Sequence, residues 1–202
     1  MHYAIIYIVA QETIRLEVLH LSQIPFYAYK VTTMKDDMFT LGSGERIIVY
    51  NRNDLTKVKY VIALPGTSPL DISACNVSNC VYVLVDTKPT KEAYHYSILR
   101  ITENKAHRFN SLPWIRALHL QDFACISVSD NGSLIVRSWP FMVCTYDAKG
   151  RLKSKVKSSP SSPRISCWYN PIYKSNGNFV LACYSDEELT EFDDRIKGIR
   201  RH

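Results

Sequence analysis

KSNGNFVLACY, residues 174–184, is a polar turn followed by an unbroken apolar run. SDNGSLIV at 129–136 has the same form, as do VSNCVYVLV at 77–85 and, more loosely, KDDMFTLG at 35–42. A phrase written four times in one chain points to a repeat architecture. The second polar residues of the four turns, Asp37, Asn79, Asn131 and Asn176, are 42, 52 and 45 residues apart. A second marker, the proline after an apolar-ended strand, falls at Pro25, Pro65, Pro113 and Pro160, in steps of 40, 48 and 47. The polar ends NRND (51–54), TENK (102–105), DAKG (147–150) and FDDR (192–195) keep the same beat.

Each unit reads as a proline crossing, then strand, turn, strand, loop, strand, polar turn and strand. Asn131-Gly132 and Asn176-Gly177 are strong hairpin signals, read as two-residue turns with positive φ at both central positions. VYVLV (81–85) is continuously apolar, as expected of a strand buried on both faces. RLKSKVK (151–157) alternates, as expected of an outer edge. DTKPTKEAY (86–94) reads as a polar loop inserted between two strands of one unit. No stretch holds a helical period with caps.

Four strands per repeat of 40 to 50 residues is the pattern of β-propeller blades, whose faces are buried only against their neighbours. The expected fold is therefore all-β, with about four four-stranded antiparallel blades in a single repeat domain spanning 1–202. The boundaries fall at 1–24 (the last two strands of a partial blade), 25–64, 65–112 and 113–159 (full blades) and 160–202 (a terminal partial blade). Partial units at both ends suggest an open arc, or a fragment of a larger ring of about six blades.

The chain has 202 residues, 46% apolar and 22% charged, a globular composition. No apolar run reaches the length of a membrane helix, and AIIYIVA (4–10) lacks the basic flank and cleavage site of a secretory signal. This favours a cytoplasmic protein with no membrane partner. The net charge is +6. Six cysteines occur with no C-x-x-C spacing, which argues against zinc. Cys75 and Cys80 flank a turn and form the one candidate disulfide, should the compartment be oxidising.

The cadence SDNGSLIV…CTYDAKGRL (129–152) and KSNGNFVL…LTEFDDRI (174–196) resembles that of NHL-type and TolB-like β-propellers, in which an Asp-Asn turn and apolar strand precede a [YF]-D-x-x-G turn. The resemblance spans roughly 31–197. It implies the fold and a habit of binding, since NHL domains are often protein- or RNA-binding platforms.

Candidate sites are few. A propeller hydrolase of the lactonase kind would hold calcium with acidic residues at the starts of inner strands, where Asp71 and Asp122 are weak candidates. Asp71, after Pro69 and Leu70, reads more simply as ordering a crossing turn. The histidines, among them His95, His107 and His119, sit in unrelated contexts, and no catalytic triad, phosphate loop or cofactor motif is present. The basic residues Arg151, Lys153, Lys155 and Lys157 alternate onto one face of a strand, with Leu152 and Val156 on the other. They would suit phosphates of RNA, or simply discourage edge-to-edge strand pairing. The expected function is a non-enzymatic binding module presenting rim loops, the 86–94 loop foremost, to protein partners. The alternatives are an RNA-binding face on 151–157 and a calcium-dependent, lactonase-like hydrolase. Self-association through exposed blade faces is a further expectation.

Overall fold

A computed structural model describes residues 8–10, 13–15, 28–42, 44–90, 93–102, 105–111, 125–129, 131–138, 142–157, 172–173, 178–182, 189–192 and 198–201. Among them there is no helix. A short antiparallel pair, β1 (Ile8–Ala10) and β2 (Thr13–Arg15), comes first. Four antiparallel sheets follow, each built from one continuous stretch of chain with its strands in sequence order. Sheet I is β3 (Ala28–Met34), β4 (Asp37–Gly42), β5 (Arg46–Asn51) and β6 (Asp54–Ala63). Sheet II is β7 (Thr67–Cys75), β8 (Cys80–Thr90), β9 (Ala93–Thr102) and β10 (Lys105–Ser111). Sheet III is β11 (Cys125–Val128), β12 (Leu134–Ser138), β13 (Met142–Tyr146) and β14 (Leu152–Lys157). Sheet IV is β15 (Ile172–Tyr173), β16 (Phe179–Ala182), β17 (Leu189–Phe192) and β18 (Gly198–Arg201). The stretch from 160 onward, expected to hold an incomplete unit, thus carries four paired strands.

The apolar runs become the middle strands. Val81 to Val85 of β8 are wholly buried, as are Leu134 to Val136 of β12. Alternate residues of β8 serve opposite seams. Val81, Val83 and Val85 pack with Phe39, Leu41, Ile47 and Val49 of sheet I. Cys80, Tyr82 and Leu84 pack with Ile126, Leu134 and Val136 of sheet III. Sheet II is therefore apolar on both faces, and each buried Val or Leu contributes about 1.5–3 kcal/mol. The outermost strand β6 is mostly exposed, with Val58 and Val61 open to solvent.

The first strands of the sheets are the ones that meet in series: β3 packs on β7, β7 on β11 and β11 on β15. Polar bonds tie the seams along this line. The Ala74 N–H of β7 donates to Thr32 Oγ1 of β3 at 3.1 Å.

The Asn131-Gly132 turn departs from the sequence expectation, while Asn176-Gly177 lies outside the described residues. At 129–133 the chain does not make a two-residue turn with two positive φ values. The Ser129 N–H donates to the Ser133 carbonyl at 2.8 Å and the Gly132 N–H to the Ser129 carbonyl at 2.9 Å, with φ of 80° at Gly132 and no positive φ at Asn131. The Asn131 side chain instead accepts from the Ser133 N–H at 3.0 Å. An Asx side chain that satisfies the turn this way spares Asn131 a left-handed backbone and leaves that conformation to the glycine after it. DAKGR repeats the device: the Asp147 N–H donates to Arg151 O and the Gly150 N–H to Asp147 O, each at 2.9 Å, and Gly150 has φ of 79°.

The expected 86–94 loop is largely strand. β8 runs to Thr90, β9 begins at Ala93, and the pairs Asp86↔Tyr96, Thr87↔His95 and Thr90↔Ala93 extend the hairpin past the sheet. Threonine and tyrosine favour a pleated ribbon here despite the intervening lysines.

Candidate functional site

Two hairpin tips come together at one rim of the seam between sheets I and II. The β3–β4 turn has two central residues, Lys35 and Asp36, between the paired Met34 and Asp37. Lys35 takes φ of 53°, at a position where tight hairpins usually use glycine. A lysine there carries about 1–2 kcal/mol of backbone strain. The β7–β8 turn runs from Asn76 to Asn79 between the partners Cys75 and Cys80. Its Asn79 N–H donates to the Asn76 carbonyl at 3.3 Å, and Asn79 takes φ of 44°. These are the positive-φ residues other than glycine among those described, and both line one cleft of about 270 Å³.

The cleft has an apolar floor and a polar wall. Phe39 and Ile101, both almost wholly buried, form the floor with the partly buried Met34. Asp37 forms the wall with two residues of β6. Lys59 Nζ lies 2.5 Å from Asp37 Oδ1, and the Tyr60 hydroxyl donates to Oδ2 at 3.3 Å. A register shift between Val49 and Tyr50 leaves Lys59 unpaired with β5, and such bulges re-aim a side chain. The Lys59 ammonium also lies 5.9 Å from the centre of the Tyr60 ring, within cation–π range. Burial, reinforced by the Asp37 charge, pushes the Tyr60 phenol up to about 12. Tyr60 therefore remains a hydrogen-bond donor at neutral pH. Lys35 and Asp36 stand exposed at the mouth. The Asp36 carbonyl accepts from the Arg52 N–H at 2.6 Å, which pins this tip to the β5–β6 turn.

The next seam is closed at the corresponding turns. A Cβ added at Gly132 would lie 3.2 Å from Ala148 Cβ, 3.5 Å from Ser78 Oγ and 3.7 Å from Cys75 Sγ. The β11–β12 tip thus packs flush on the β7–β8 tip, whereas sheets I and II leave room between theirs.

Asp71 lies inside β7, next to a bulge at Pro69, and not in a crossing turn. Proline in a strand is accommodated at such bulges. The Asp71 carboxylate is fully buried and joins three sheets. Oδ1 accepts from the Ile72 N–H at 2.9 Å and sits 3.4 Å from Lys30 Nζ of sheet I, while Oδ2 accepts from the Ile126 N–H of sheet III at 2.9 Å. Both oxygens are thus engaged within the protein. Burial pushes this carboxyl up, outweighing the opposing pull of Lys30 and the two backbone donors. Asp122 lies outside the described residues. Among the described residues no three His, Cys, Asp or Glu side chains converge as metal ligands.

Cys75 and Cys80 are directly paired across the hairpin, and both are buried free thiols. Burial pushes the Cys80 thiol up, against the lowering contacts of Arg100 and Tyr82.

The basic residues fall on β14 and the turn before it, at the outer edge of sheet III. A register shift between Thr145 and Tyr146 inserts Lys153 as an extra residue, so the strict alternation is broken there, and Leu152 is 53% exposed. Lys153 and Lys155 are exposed. Arg151 is committed to its turn: its Nε donates to Asp147 Oδ2 at 2.7 Å and its N–H to Oδ1 at 2.9 Å. The side chain of Lys157 lies outside what the structure describes.

The cleft is not legible in the sequence. Its polar residues come from two hairpin tips 42 residues apart and from β6, and its one local signal is a lysine where a two-residue turn prefers glycine.

No protein-family model matches the chain, and no curated protein matches it. In fold it is similar to the crystal structure of a protein of unknown function from Bacteroides caccae, with a TM-score of 0.51 and 12% sequence identity. The likeness covers 79% of this chain and 54% of that one, so the chain spans about half the length of its structural neighbour. Among the described residues no helix is long and apolar enough to cross a membrane.

Proposed function

We propose that the four sheets are blades of a β-propeller of the NHL or TolB-like kind, and that the chain is a non-enzymatic binding module for protein partners. Sequence-ordered sheets whose first strands pack in series support the blade reading. The cleft between the first two hairpin tips carries the binding reading. It joins an apolar floor to a charged mouth and contains the two described residues other than glycine that take a left-handed backbone. Strained backbone of this kind concentrates at functional sites. A displayed peptide library panned on the whole chain, followed by amide-shift mapping, tests it. Peptides that map to Lys35, Asp36 and Asn79 support the rim as the site. Peptides that map only to the outer strands refute it.

One observation favours RNA as a second reading. The outermost strands of all four sheets are basic: Lys57 and Lys59 on β6, Lys105 and Arg108 on β10, Lys153, Lys155 and Lys157 on β14, and Arg200 and Arg201 on β18. The one acidic residue among these strands is Asp54. Retention of single-stranded RNA that weakens with salt would support it, with a log–log slope shallower by about 0.7 for each phosphate no longer neutralised. Changing Lys153, Lys155 and Lys157 to glutamate is the discriminating variant. A flat salt response would leave these lysines the task of keeping edge strands apart.

A further inference from the structure

We infer that the cleft between the β3–β4 and β7–β8 tips is an anchor pocket for one aromatic side chain of a protein partner, tryptophan or tyrosine. The inference rests on the binding-module reading and adds the chemistry of the guest.

The wall selects against a charged guest. Asp37 is already matched by Lys59 and the Tyr60 hydroxyl, and the mouth residues Lys35 and Asp36 cancel one another. A neutral guest therefore meets no uncompensated charge. The surfaces that remain all favour a π system. Phe39 and Tyr60 offer rings for offset or edge-to-face contact. Met34 offers a thioether, which packs well against aromatic edges. Lys35, which lines the cleft and is exposed, offers an ammonium that can lie on a ring face. A tryptophan N–H or tyrosine O–H at the guest's edge needs a polar partner, and Asp36 and the Asn79 side chain stand at the mouth to supply one. The volume of about 270 Å³ suits one large residue better than a whole drug-sized ligand, for which pockets usually begin at roughly 300 Å³. Aromatic side chains seated in such pockets are the usual energetic centres of protein interfaces.

Lys35 sharpens the case. Glycine would relieve its backbone, so Lys35→Gly should raise the urea midpoint of the chain while removing the ammonium from the mouth. A variant that is more stable yet binds less cannot be dismissed as misfolded.

The test is a titration of the whole chain with N-acetyl-tryptophanamide, and separately with N-acetyl-leucinamide, followed through the methyl signals of Met34 and Ile101. Saturable ring-current shifts with tryptophanamide are expected, with leucinamide at least about threefold weaker. Lys35→Gly should weaken tryptophanamide by about two- to fivefold. Equal affinity for the two amides, no shift at Met34 and Ile101, or unchanged affinity in Lys35→Gly would each overturn the inference. The peptide selection separates the two levels. Rim-binding peptides without tryptophan or tyrosine overturn the anchor and leave the binding-module reading standing. Tryptophanamide seated in the cleft with no rim-binding peptide removes the partner, and both fall together.

Discussion

Replacing Asp71 with alanine is the most severe test of how the sheets are joined. The substitution leaves two backbone donors, Ile72 N–H and Ile126 N–H, without their acceptor in a buried setting and removes an ion-pair partner of Lys30. Each buried donor left unsatisfied costs about 1–3 kcal/mol. Relief from burying a carboxylate offsets part of the sum. The net loss should be about 3 kcal/mol, a large share of the 5–15 kcal/mol that holds a typical domain together. With a urea slope of about 2 kcal/mol/M, the midpoint should fall by about 1.5 M. Asp71→Asn keeps one acceptor oxygen and should lose about half as much. Hydrogen exchange at Ile126 should accelerate in both variants, because that amide bridges β11 to β7. The pH dependence carries its own sign. The folded-state pKa is raised, so the folded protein holds this proton more tightly than the unfolded chain does. Its contribution is fully present below the ordinary carboxylate range and is lost as pH rises through the raised value. Asp71→Asn should remove that decline. A midpoint for Asp71→Ala within about 0.25 M of the parent would refute the claim that this carboxylate ties three sheets together.

Gly132→Ala should cost about 1–2 kcal/mol in chemical unfolding, since φ of 80° penalises any Cβ and this one meets Ala148 at 3.2 Å. Gly66→Ala, with φ of 70° but open space around it, should cost less; equal losses would remove the close contact with Ala148 as the cause. Leu84→Ala should cost about 2–5 kcal/mol by thermal or urea melting, because the side chain is wholly buried in the seam of sheets II and III. Asp147 is held below the usual carboxylate range, first by the Arg151 N–H and then by the Arg151 side chain and the Lys149 N–H. Its contribution should hold above the ordinary carboxylate range and disappear as pH falls through the lowered value, and Asp147→Asn should erase that acid-side slope in a melting series.

The sheet count is legible because it rests on short-range signals: turn chemistry followed by apolar runs, repeated at a near-constant step. Val81 to Val85 announce a doubly buried strand in their composition alone, and β8 is one. The 86–94 ribbon reads as a loop because charge and proline suggest one, while Thr87, Thr90 and Tyr96 carry enough strand preference to prolong the hairpin. Asn131-Gly132 points to the wrong turn because the hydroxyl of Ser129, two residues back, supplies an acceptor that a dipeptide reading ignores: it takes the Ser133 N–H at 3.0 Å. The cleft depends on tertiary placement. Asp37 and Asn79 mark the repeat step, yet nothing in their spacing tells that one sits in the wall and the other at the mouth of the same cavity.

The double burial of β8 has a consequence for synthesis. As sheet II leaves the ribosome, one of its apolar faces can settle at once on sheet I, already made. The other face, carrying Cys80, Tyr82 and Leu84, must wait for partners such as Leu134, which lies 50 residues downstream of Leu84. At roughly 5–20 residues per second that is an interval of about 3–10 s. For those seconds the nascent chain displays a greasy strand with the Cys75 and Cys80 thiols at its turn end, and a holding chaperone would find its binding site there.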